Sequence, residues 1–139
     1  MQVHILRLGP GEDLRSALES FARHKAISAG FILSAIGSLS LVTLRFAGQE
    51  AANQWQGDLE ILTLAGTLSP DGCHLHASVS DALGHVTGGH VLPGCIIRTT
   101  AEIVIGTAPE LTLSRVHDPE TGYRELSVAP TPPTKTGPS

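Results

Sequence analysis

Positive charge is scarce in this chain. Nine Lys and Arg stand against thirteen Asp and Glu, giving a formal net charge of −4 and a pI near 5.9. No Lys/Arg run occurs anywhere in the sequence. Proteins that bind DNA directly draw most of their affinity from phosphate neutralisation and carry a basic stripe for it. Direct DNA binding by a single chain therefore gets no support from charge. Long apolar runs are missing too. No segment approaches the ~18–20 residues of a membrane span, so no membrane contact is expected. No basic region followed by an apolar stretch opens the chain, so no signal peptide is read. Cysteine is reduced to Cys73 and Cys95, both amid apolar residues. They read as buried free thiols rather than a disulfide, which fits a cytoplasmic setting.

What is present suits one globular domain. The 139 residues are 41% hydrophobic and only 16% charged, enough to bury a core. Gln2 to Leu8 alternates as a strand, and Gly9-Pro10-Gly11 breaks it. Glu12 to Lys25 reads as a helix, because Leu14, Leu18 and Phe21 recur at spacings of four and three. Glu12 and Asp13 at its start, and His24 and Lys25 at its end, suit the helix dipole. Gly30 marks the exit.

The rest reads as β. Phe31 to Ile36 and Leu39 to Phe46 form two strands around a turn at Gly37-Ser38. Gly48 to Gly57 reads as a loop carrying Trp55. Asp58 to Leu68 is a strand with Glu60, Leu62 and Leu64 on one face and Leu59, Ile61, Thr63 and Ala65 on the other. Ser69-Pro70-Asp71-Gly72 is a strong turn signal. Cys73 to Ser80 returns antiparallel, Asp81 to Gly84 turns again, and Ile96 to Ile105 is a long strand. Leu111 to His117 and Tyr123 to Val128 make a hairpin. One main N-terminal helix with about seven mostly antiparallel strands argues an α+β fold built on a central sheet. The domain spans residues 1–129. Residues 130–139, rich in Pro and Thr, read as a flexible tail.

The chemistry concentrates in His74-Leu75-His76 and Gly88-Gly89-His90. Side chains alternate along a strand, so His74 and His76 share a face. Cys73, Leu75, Ala77 and Val79 form the opposite, apolar face. Pairing Ser80 with His85 across the turn would aim His90 at the wrong side. A one-residue bulge at Gly88-Gly89 would correct the parity. Three converging imidazoles would hold zinc and leave a coordination position open. Glu60, on the neighbouring strand, is the candidate fourth ligand, second-sphere partner or general base. His85 follows the turn and reads as exposed, and His4, His24 and His117 have no partner at ligand spacing. Arg98, Thr100 and Glu102 share one strand face and read as salt-bridging residues or a substrate anchor.

Several of these segments together bring a family into view. They are Gly57-Asp58-Leu59-Glu60-Ile61-Leu62-Thr63-Leu64-Ala65-Gly66, His74-Leu75-His76-Ala77-Ser78-Val79-Ser80-Asp81, Gly88-Gly89-His90 and Arg98-Thr99-Thr100-Ala101-Glu102-Ile103. The chain resembles the plants and prokaryotes conserved (PPC) domain over residues 2 to 128. That resemblance implies an α+β domain assembled as a homotrimer. In plants the domain follows AT-hook motifs in nuclear regulators and mediates partner binding. Prokaryotic relatives usually stand alone and carry a DNA-binding label by association, and some resemble zinc proteins through the histidines matching His74, His76 and His90. This chain has no Arg-Gly-Arg-Pro hook. The expectation is a trimeric zinc-binding PPC-type protein with a regulatory role, its partners being its own copies, other proteins, or DNA indirectly. The alternative is a metal-dependent hydrolase or lyase with Glu60 as general base.

Overall fold

The computed structural model describes residues 1–133. Strand β1 (Gln2–Leu8) leads into helix α1 (Leu14–His24). Strands β2 (Gly30–Arg45), β3 (Asn53–Ser69), β4 (Gly72–Ser80), β5 (Val86–Val91) and β6 (Ile96–Thr107) follow, and β7 (Leu111–His117) and β8 (Arg124–Pro130) form a separate hairpin. The main sheet runs β1-β6-β2-β3-β4-β5, all antiparallel. This is the expected α+β class, with eight strands in two sheets.

The helix forms where its periodicity predicts. Leu14, Leu18 and Ala22 are buried along one stripe. Asp13 is the N-cap: one carboxylate oxygen accepts from the Ser16 N–H at 2.9 Å, and the other accepts from the Gly94 N–H. The helix was expected over Glu12 to Lys25 and runs from Leu14 to His24, with Asp13 and Lys25 as its caps. Ala26 takes a left-handed conformation (φ 51°), and the Ala26 and Ile27 amides donate back to the Arg23 and Ala22 carbonyls. That closes a Schellman-type cap with alanine where glycine is usual. Gly30 instead opens β2.

The expected turn at Gly37-Ser38 does not exist; β2 is one strand of 16 residues. Gly37 is there for close approach, since a Cβ would lie 2.6 Å from Ala101 Cα and from the Thr100 carbonyl. A glycine inside a strand pattern marks crowding as readily as turning. Trp55 likewise sits in β3, opposite Val42 and against Phe46, not in a loop. The faces of β3 also differ from strict alternation. A bulge between Ile61 and Thr63 resets the parity, so Leu59, Ile61 and Leu64 all point inward while Glu60 and Leu62 point out.

The length of β2 shapes the fold. Its first part pairs with β6 as far as Leu41, opposite Ile96. Beyond that it switches to β5, with Leu44 opposite Val91 and Arg45 opposite His90. Strands β2, β3, β4 and β5 thus close into a small barrel-like ring. The core lies inside it and under α1, with Leu39, Val42, Leu44, Leu68, Leu75, Val79, Val91, Ile97 and Ile103 at 0–1% exposure. The β7–β8 hairpin docks on the outside. Leu113 N–H donates to the Ser28 carbonyl, and Arg115 N–H to Asp71 Oδ2 at 2.7 Å. Pairing continues to Pro130, opposite Leu111, and the Thr131 N–H donates to the Glu110 carbonyl. Residues 134–139 of the expected tail lie outside the described residues.

Candidate metal centre

His74 and His76 stand on the outer face of β4, while Cys73, Leu75, Ala77 and Val79 are buried on the inner one. The alternation read from sequence is the one observed. His90 joins them by a different route from the one expected. The turn after β4 is one residue longer, with the Asp81 N–H donating to the His85 carbonyl, so Ser80 pairs with Val86 and not His85. Every later pair shifts with it. His76 then faces His90 directly, with no bulge at Gly88-Gly89. Residues directly opposite share a face. The glycines serve close packing instead: a Cβ on Gly88 would meet the Ala77 carbonyl at 2.9 Å, and one on Gly89 the Arg45 carbonyl at 2.8 Å.

The three rings form a near-equilateral cluster, with centroids 5.0, 5.1 and 5.6 Å apart. One ring nitrogen from each lies within 4.8 Å of the others. His90 is the most constrained, since its strand is paired to His76 on one side and Arg45 on the other. Its Nδ1 is buried with no hydrogen-bond partner among the described residues. An orphaned buried nitrogen is costly unless something binds it. Burial, then the neighbouring His74 and Arg45 charges, push the His90 pKa down to about 4. Burial, then Arg115, lowers that of His74, while Glu125 opposes the shift. Neutral imidazoles keep the lone pairs that a cation needs, so the donor set fits a zinc-class ion. A cation bound here would polarise a carbonyl or acidify a bound water.

Of two residues that sequence reasoning passed over, one holds the site and the other borders it. Arg15 of α1 donates from Nη1 to the Val91 carbonyl (2.9 Å) and from Nη2 to the Cys73 carbonyl (2.8 Å), and its Nε pairs with Glu19. Those carbonyls belong to the residues next to His90 and His74, so one guanidinium pins the two ligand-bearing strands. Only its place among helical residues was legible. Arg15→Met should cost about 2–3 kcal/mol, the scale of hydrogen bonds to a charged group, and weaken zinc binding. Urea denaturation and zinc titration of the variant check this; unchanged values in both would show the clamp to be idle. Arg115, on β7, reaches the same site from outside, donating from Nη2 to Thr67 Oγ1 at 3.0 Å. Thr67 lies opposite His74.

The structure does not bring Glu60 to the imidazoles. Ala65 and Thr67 stand opposite His76 and His74, whereas Glu60 stands opposite Ser80 and lines a different cavity, with Asp58 and Arg98. At about 3.3 Å per residue the gap along the strand is roughly 13 Å. His85 is exposed beside Asp81, and Arg98 pairs with Asp58 at 3.2 Å, the salt-bridge reading of that strand. Cys73 and Cys95 are free and buried, with the Cys73 thiol pushed up to about 12 mainly by burial, so neither is presented as a ligand.

Fold and site together define a class: a small α+β protein with a partly closed antiparallel sheet and an open three-imidazole cluster on its outer face. The chain belongs to the Plants and Prokaryotes Conserved (PCC) domain family, whose model matches residues 1–109. It is 44% identical to a hypothetical protein from Salmonella cholerae-suis, covering 93% of this chain and 94% of that one, with a TM-score of 0.91. A Bacteroides thetaiotaomicron protein with a provisional DNA-binding description is 26% identical, with 90% and 91% covered and a TM-score of 0.81. A metal-containing protein from Archaeoglobus fulgidus is 29% identical, with 91% and 94% covered and a TM-score of 0.77. Among curated proteins, the bifunctional protein GlmU of a Synechococcus strain is 52% identical over 130 residues, which are 94% of this chain and 21% of that protein. The chain thus spans about a fifth of that relative's length.

Proposed function

We propose that this protein is a zinc-binding PCC domain that acts as a homotrimer in a regulatory or interaction role. The observation that carries the metal is the convergence of His74, His76 and His90, together with the buried His90 Nδ1 that has no partner among the described residues. The metal-containing relative of the same fold agrees with it. Self-association is supported by the exposed apolar side chains on the outer face of the main sheet, Val3 and Ile5 on β1, Leu33 and Ile36 on β2, and Leu62 on β3. Association with DNA, in this reading, runs through a partner, because the chain is acidic and has no basic run. The free buried thiols suit a reducing, cytoplasmic setting. No helix among the described residues is long and apolar enough to cross a membrane.

A second reading is a metal-dependent hydrolase or lyase. It is favoured by the cavity of about 350 Å³ that His74 and His76 share with Arg115 and Glu125. Glu125, which lines that cavity, replaces Glu60 as its acid–base group. The test of the main proposal is elemental analysis with light-scattering mass on protein purified without chelator. One zinc per chain in a three-chain particle is expected. Metal-free protein from zinc-supplied cells, or a monomer, would overturn the corresponding half.

A further inference from the structure

The cavity beside the imidazole cluster has walls of two kinds. One side is the outer face of β3 and β4, with Thr67, His74 and His76. The other is the β7–β8 hairpin, which supplies Arg115, Glu125 and Leu126. The hairpin lies beyond residues 1–109, the part matched to the family. Arg115 is half-buried and aimed by its hydrogen bond to Thr67, directly across from His74. It forms no side-chain ion pair among the described residues, although Glu125 shares its cavity. Glu125 is held instead by the Thr121 hydroxyl at 3.0 Å. A guanidinium fixed in place without a carboxylate partner, beside ligands for a cation, is a receptor for an anion.

We infer that this cavity binds a small carboxylate, with Arg115 as its anchor. The inference rests on the proposed metal centre for the second contact, since a carboxylate can present one oxygen to the guanidinium and another to the cation. The size of the cavity, about 350 Å³, suits a molecule of few heavy atoms. Glu125 sets the charge limit: a second negative group on the ligand would face it. A hydroxyl there would instead donate to it. A small hydroxy acid such as lactate therefore fits both ends.

The experiment is calorimetric titration of lactate and, separately, of zinc into wild type, Arg115→Gln and Arg115→Lys, with lactate run on metal-free and zinc-loaded protein. Among the described residues the Arg115 side chain bonds Thr67 alone, so the fold and the zinc stoichiometry should survive in both variants. Lactate affinity should fall about tenfold or more in Arg115→Gln, with Arg115→Lys in between, because a lysine keeps the charge and loses the fork. Equal lactate affinity in wild type and Arg115→Gln, or no lactate binding to zinc-loaded wild type, overturns the inference and leaves the metal centre standing. Lactate binding that depends on Arg115 in a protein that takes up no zinc upholds the anchor and overturns the metal reading.

Discussion

His76→Ala should strip the metal and leave the fold. His76 is exposed, and its side chain takes no part in the core that Leu75, Ala77 and Val79 build on the other face. Surface substitutions of this kind shift stability within about 0.5 kcal/mol. The effect on the ion is of another order. His76 is one corner of the triangle of rings, 5.0 Å from His74 and 5.6 Å from His90. Removing even an outer-sphere partner of a metal typically costs 10–100-fold in affinity, so loss of a ligand should exceed about a hundredfold. Elemental analysis and circular dichroism on the variant beside wild type read both quantities. Zinc retained at wild-type stoichiometry would remove His76 from the site. An unfolded variant would show that metal and fold are one transition, as in small structural zinc domains.

Gly66→Ala should do the reverse and take the fold with the site. Gly66 lies in β3 opposite Leu75, with φ at 148°, a region nearly closed to residues with a Cβ. An added Cβ would fall on the His74 carbonyl oxygen and within 2.9 Å of Leu75 Cα. These are backbone atoms of a paired strand, and neither can turn aside as a side chain would. Strain and overpacking together should cost about 3 kcal/mol or more, a large share of a domain's usual stability. The denaturation midpoint should drop steeply, and zinc uptake should fall with it because His74 is the residue displaced. A midpoint within a few tenths of a molar of wild type would mean that β3 and β4 separate at little cost. Set side by side, the two variants distinguish a site that sits on the fold from a contact that holds it together.

The histidine cluster shows how a right placement can be reached through a wrong register. Period-2 alternation is local, so the shared face of His74 and His76 could be read from four consecutive residues. The approach of His90 depends on how many residues the Asp81–His85 turn consumes, and a slip of one reverses a whole strand. Glycines in strands misled twice for a related reason. Gly37, Gly88 and Gly89 were read as turn or bulge signals, yet Gly88 and Gly89 sit in regular pairing, Gly37 lies within one continuous strand beside a register shift against β6, and at each another backbone comes within contact distance. Sequence shows that a Cβ is missing, and only the neighbouring strand shows what would have struck it.

By itself the sequence determined the class of the protein: α+β, one amphipathic helix, antiparallel strands, and a histidine face outside the core. These follow from patterns within a few residues of one another, where backbone geometry dictates which side chains share a side. The tertiary structure decided what reaches that face. Arg15 arrives from a helix 58 residues before Cys73, and the two hydrogen bonds that reach the ligand-bearing strands run to backbone carbonyls, which leave no trace in residue type. Arg115 and Glu125 arrive on a hairpin that only docking sets beside Thr67 and His74. Glu60, close in sequence to the residues that pair with the histidines, was carried away by four positions of register. Which groups meet across strands is set by turn lengths, bulges and the closure of the sheet on itself, and those are properties of the packed chain as a whole.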